Sequence, residues 1–141
     1  MTSSTLSETV AVGQEIPPFS RQTGFAVWNR YAAVNDEFVP IHMDDEAGRA
    51  AGYPSAFGMG NLQWAYLHNA LRGWMGEDGR IVSLSCQFRG ADTKGTTLTV
   101  RGTVTAVRDE DGTRYVDLEL RVQNQEGRTL TPATATVAFD R

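Results

Sequence analysis

Between positions 58 and 75 the apolar residues Met59, Leu62, Tyr66, Ala70 and Trp74 recur at helical spacing, and Leu67 and Leu71 widen the stripe. The pattern predicts a long, largely buried helix. Three alternating segments follow. Val82, Leu84, Cys86 and Phe88 share one face of the first; Leu98, Val100, Val104 and Ala106 share one face of the second; Val116, Leu118, Leu120 and Val122 share one face of the third. The intervening positions are polar. RDEDGT and NQEG read as hairpin turns, and residues 130–139 supply a final strand that Pro132 bends or places at an edge. Ahead of the long helix, residues 12–20 read as a first strand despite Pro17 and Pro18. Residues 25–34 read as a short helix with Phe25, Trp28 and Ala32 on one side.

One apolar helix followed by a meander with a single greasy face is the pattern of an α+β domain in which an antiparallel sheet curves around a helix. A single sheet cannot cover that helix all round, so a dimer or a multiple of it is expected. The polar outer face of the strands argues against another sheet stacking there.

Composition narrows the partners. The chain has 141 residues, 40% of them hydrophobic, which suits one domain over residues 12–141 preceded by a flexible Ser/Thr-rich tail over residues 1–11. A net charge of −4 without clustered Lys or Arg speaks against nucleic acid or an anionic membrane as partner. Cys86 is the only cysteine, so no intrachain disulfide forms, and with two histidines, His42 and His68, no metal site is expected. The start lacks a basic region and an apolar core, and no apolar run is long enough to cross a bilayer, so the expected location is cytoplasmic.

Candidate chemistry concentrates in YAAVNDEFVPIHMDD, residues 31–45, where carboxylates precede a histidine held behind a proline. Pro40 fixes its own φ and biases Val39 towards extended geometry, so residues 37–42 should form a constrained turn. Such a turn can converge a carboxylate with an imidazole, which titrates near neutrality, to activate a water. The same spacing also occurs as ordinary turn decoration. Further on, Gly58 and Gly60 open the long apolar segment. Glycines at the start of a buried helix leave backbone N–H groups uncovered, where they and the helix dipole can stabilise an oxyanion, though close helix packing also calls for glycine.

These two stretches resemble the MaoC-like (R)-specific enoyl-CoA hydratase and 3-hydroxyacyl dehydratase family, whose pattern runs YAxxSGDxNPIHxDxxxAxxxG and then IAHGM. Tyr31, Ala32, Pro40, Ile41, His42, Asp44, Ala47 or Ala50, Gly52, Gly58 and Met59 fall in register with it. Residues 87–107 resemble the family's FrxPvxxGDtLtvxgxV segment through Phe88, Arg89, Gly95, Leu98 and Val100. The resemblance implies a hotdog fold and a dimer or larger assembly, homomeric or with a related hotdog subunit. It also implies an acyl thioester of coenzyme A or a carrier protein as substrate, R stereochemistry at the hydroxyl, and no separate cofactor.

The departures touch the chemistry. Where the family has its catalytic aspartate stands Glu37, with Asp36 directly before it as the alternative carboxylate; Val39 replaces an asparagine and Phe57 a histidine. What the resemblance implies is therefore His42 with Glu37 or Asp36 as acid/base pair, the Gly58 N–H as oxyanion donor, and Phe57, Met59, Gly60 and Arg89 as substrate contacts. Arg89 would either meet coenzyme A phosphates or steady a strand end. Asp44, Asp45 and Glu46 read as a helix start. His68 reads as a helix residue with a local partner, and Trp64, Tyr66 and Trp74 read as core or interface. The reaction expected is hydration of 2-enoyl thioesters or the reverse dehydration. A half-site or non-catalytic subunit of a heteromer remains an alternative, as does recruitment to another biosynthetic step such as cyclisation. A thioesterase fits less well, since residues 58–75 hold no Asp or Glu.

Overall fold

In the computed structural model, which describes residues 6–140, the chain runs α1 (Leu6–Thr9), β1 (Phe19–Gln22), α2 (Phe25–Asn35), a 3-10 turn (Pro40–His42), α3 (Asp45–Ala50) and α4 (Gly60–Met75). A second 3-10 turn (Gly76–Asp78) leads to β2 (Gly79–Cys86), β3 (Thr97–Glu110), β4 (Thr113–Gln123) and β5 (Thr129–Asp140). The strands form one antiparallel sheet in the order β1-β3-β4-β5-β2, and α4 packs across β1, β2, β3 and β4. This is the expected α+β arrangement of a sheet around a central helix.

Both expected hairpins form, for local reasons. Asp111 and Gly112 take φ of 50° and 79°, the two-residue turn whose twist matches its strands. In the β4–β5 loop, Asn124 Oδ1 accepts from the Glu126 and Arg128 amides, and Gly127 supplies a φ of 81°.

The core joins Leu62, Leu67 and Leu71 of α4 to Leu98, Val100 and Val104 of β3, all four apolar positions of β4, and Trp28 and Ala32 of α2. Truncating any one of these buried leucines to alanine costs about 2–5 kcal/mol. One polar side chain, Gln63, lies on the buried side of α4.

Four sequence expectations need correction. The face assigned to β2 breaks because the register shifts between Ile81 and Ser83, which turns Val82 outward to 50% exposure while Leu84 and Cys86 stay half-buried. Phe88 lies beyond the strand and is 51% exposed. The first strand covers Phe19–Gln22 only: residues 13–16 follow β3 through Gly13 N to Val104 O and Ile16 N to Gly102 O, but Pro17 and Pro18 have no N–H with which to continue the ladder. Pro132 is not on an edge strand, since β5 lies between β4 and β2; the paired register with β2 ends at Cys86 opposite Ala133, and Pro132 takes part beyond it as an acceptor, from the Gln87 amide at 3.1 Å. Residues 1–5 of the expected tail lie outside the described residues. From Leu6 the chain is docked, with Val10 6% exposed in the core and Arg114 Nη1 donating to the Ser7 carbonyl at 2.8 Å.

Candidate active site

Val39 is extended, as a residue before proline must be, and Pro40 opens the 3-10 turn that ends on His42. His42 Nδ1 lies 2.7 Å from the Phe57 carbonyl. A carbonyl has no proton to give, so Nδ1 carries the hydrogen and Nε2 is left as the acceptor, the nitrogen a general base requires. The Phe57 ring meets the imidazole edge-on at 5.3 Å and stacks on Tyr53 at 4.0 Å. Phe57 therefore braces the histidine, and it does not wall the cavity that His42 faces.

That cavity, about 290 Å³, is lined by Tyr31, Ala32, Glu37, Val39, His42, Met59, Gly60, Asn61 and Phe88. Glu37 and His42 thus share one hollow with the start of α4. Asp36 is not among its walls. It ends α2 in the left-handed conformation, φ 53°, with its N–H on the Ala32 carbonyl. Gly60 lies against the Phe88 ring, so closely that a side chain there would have to push the ring aside by a few tenths of an ångström.

The oxyanion donor assigned from sequence, the Gly58 N–H, is already committed: it donates to the Asp92 carbonyl at 2.7 Å. The helix begins two residues later, so its uncovered amides belong to Gly60 and Asn61, which have no acceptor within the helix. Gly58 is glycine for a packing reason, since a Cβ there would run into the Asp92 carboxyl group.

Asp92 is 2% exposed, and burial raises its pKa against the partial compensation of the Gln63 amide and the Thr23 hydroxyl. Gln63 Nε2 donates to Asp92 Oδ1 at 3.0 Å, and the Thr131 hydroxyl donates to Gln63 Oε1. The Trp28 indole N–H is buried beside the same Asp92 carboxyl group, which it stabilises from outside good hydrogen-bond geometry. Sequence reading missed this network. Gln63 offered a signal, as a lone polar residue on an apolar helix face, whereas Asp92 in GADTKG looked like any turn residue.

The remaining candidates separate. Asp44 caps α3 by accepting from the Glu46 amide. Asp45 accepts from Lys94 at 2.7 Å and from the Ala56 amide, which hold its carboxyl below the usual range. His68 Nδ1 lies 2.9 Å from the Trp64 carbonyl one turn before it. Tyr66 packs on Phe19 and Trp74 on Phe139. Arg89 is exposed, its guanidinium held on Gln87 Oε1, and it lines a separate groove of about 530 Å³ that also contains Arg121. Among the described residues no three His, Cys, Asp or Glu side chains gather as a metal site would require, and no helix is long and apolar enough to cross a membrane.

No protein-family model matches the sequence, and no curated protein matches it. Solved structures do. The (R)-hydratase from A. caviae involved in PHA biosynthesis superposes with a TM-score of 0.83 at 23% identity, covering 92% of this chain and 97% of that one. The ChsH1–ChsH2 complex from Mycobacterium tuberculosis gives 0.82 at 21%, covering 93% and 99%. The MaoC-like dehydratase from Rhodospirillum rubrum gives 0.81 at 22%, covering 95% of each chain. The chain has the hotdog fold of these MaoC-like hydratases and dehydratases.

Proposed function

We propose that the protein is a hydro-lyase acting on acyl thioesters, adding water to a 2-enoyl thioester or removing it from a 3-hydroxyacyl thioester. The observation that carries this reading is that His42 and Glu37 wall the same cavity as the uncovered amides of Gly60 and Asn61. In hydration, water held between His42 Nε2 and the Glu37 carboxylate gives up a proton as its oxygen bonds the β-carbon. The α-carbon then takes a proton from the same pair. Charge on the thioester oxygen is stabilised at the start of α4, where the Gly60 and Asn61 N–H groups and the helix dipole converge. Arg89 and Arg121 in the neighbouring groove supply positive charge suited to the phosphates of a coenzyme A or carrier arm.

Two copies pair through β2, the longer of the two edge strands, whose outer ladder is open. A second reading, in which the chain is one half of a heteromeric hydratase, is favoured by its likeness to the ChsH1–ChsH2 complex and by glutamate and valine at the family's aspartate and asparagine positions. Incubating the purified protein with short, medium and bulky enoyl-CoA and following loss of the conjugated absorbance tests the activity. Absence of turnover with every substrate, alone and beside related hotdog subunits, overturns it.

A further inference from the structure

The cavity walls account for His42 and Glu37 but leave unexplained the carboxyl group buried against Gly58 and Gln63. Asp92 makes two kinds of contact with the site, and neither involves the cavity itself. Its main-chain carbonyl accepts from the Gly58 amide, and Phe57, directly before Gly58, bridges to Thr93, directly after Asp92. Its carboxyl group lies against Gly58 and accepts from Gln63, in the first turn of α4. Gln63 is in turn held by Thr131 of β5. The Phe57 carbonyl that fixes the His42 tautomer and the amides of Gly60 and Asn61 lie on either side of this anchored point.

We infer that Asp92 is a positioning residue: with Gln63 it sets the segment from Phe57 to the first turn of α4 in the one register that holds His42 as its Nδ1–H tautomer and aims the helix-start amides into the cavity. A buried carboxyl is costly, and an apolar residue would fill the space more cheaply. An apolar residue would pack there without fixing a direction, whereas a hydrogen bond between two defined atoms specifies both distance and angle. The kinetic consequence rests on the hydratase reading above. The tautomer consequence stands without it.

The test compares Asp92→Asn, which keeps an acceptor for Gln63, with Asp92→Val and Gln63→Met, which break that bond from opposite ends. Imidazole ¹⁵N shifts report the histidine tautomers directly and need no substrate. The chain's only other histidine, His68, whose Nδ1 lies on the Trp64 carbonyl within α4, serves as internal reference. In Asp92→Val and Gln63→Met we expect His42 to become a mixture of tautomers while His68 is unchanged. We also expect kcat to fall by about 10–100-fold with KM within about threefold, as for a displaced catalytic group. Asp92→Asn should restore both readouts to near the wild-type values. A folded Asp92→Val or Gln63→Met protein that retains the His42 tautomer overturns the inference. Failure of both to fold also overturns it, since the network would then serve folding alone. If the tautomer shifts as expected but no thioester is turned over, the hydratase reading fails and the positioning role remains.

Discussion

The amide of Gly58 donates to the carbonyl of Asp92 at 2.7 Å, and the carboxyl group of the same aspartate occupies the space that any side chain at position 58 would need. A position that looks from sequence like an oxyanion donor is thus a structural joint between the loop before β3 and the approach to α4.

Substitutions at Gly58 should accordingly act on stability first. Gly58→Ala forces a methyl group against the Asp92 carboxyl, a misfit of about 1–3 kcal/mol by comparison with overpacked cores. Gly58→Pro removes the N–H as well and should cost more. Urea melts measure both. A Gly58→Pro protein as stable as wild type but slowed in turnover would restore the original assignment of this amide to the oxyanion.

His42→Ala and Glu37→Gln should each reduce hydration by about 10²–10⁴-fold with the fold intact, the usual range for loss of an acid/base group. Asp36→Asn should be silent, because Asp36 is not among the cavity's walls and asparagine accepts the left-handed conformation as readily as aspartate. Enoyl-CoA turnover in the three variants checks the assignment; damage by Asp36→Asn with a silent Glu37→Gln would transfer the role to Asp36.

Two aspartates should give pH dependences of opposite sign. Lys94 and the Ala56 amide lower the Asp45 pKa below its ordinary 3.8, so the stability this pair adds is complete above 3.8 and is lost as pH falls through the lower folded value. Lys94→Met should therefore flatten the acid side of the stability curve. Burial raises the Asp92 pKa above 3.8, so the folded state holds that proton longer than the unfolded chain does, and stability declines as pH rises through the folded value. Asp92→Asn should remove that decline. Urea unfolding at a series of pH values reads both effects, and curves parallel to wild type in either variant would contradict the corresponding assignment.

Light scattering should report a dimer or a multiple of it. Val82 projects from the bulge in the edge strand, so Val82→Lys places two like charges near the expected pairing line and should shift the protein towards monomer. A wild-type monomer with full activity would exclude pairing as a requirement of the site.

Much of this fold was legible because its signals are local. The four apolar positions of β4, the Asp-Gly turn at 111–112 and the stripe on α4 each follow from neighbours in sequence. The outward turn of Val82 was not legible, since a bulge is decided by how β2 meets β5, where Ile81 faces Val137 and Ser83 faces Thr136. At the site, the proline-held His42 and the adjacent carboxylates could be found from spacing. The choice between Asp36 and Glu37 depended on how α2 terminates. The fate of the Gly58 amide depended on Asp92, thirty-four positions further on, and no periodicity connects those two residues.

The strand order carries a consequence for how the molecule assembles. β3 and β4 close through a two-residue turn, and β5 joins β4 through a short loop, so this meander can form from near neighbours. β2 follows the central helix after one 3-10 turn, yet its only partner in the sheet among the described residues is β5, with Gly79 opposite Phe139. The edge strand must therefore wait until Thr129–Asp140 is present to receive it. Closing that loop costs chain entropy, as does the still longer closure that sets Gln22 of β1 opposite Thr97 of β3. A chain lacking these twelve residues would lose the partner of β4 and of β2 at once, and it would leave both ladders open to pairing with another chain.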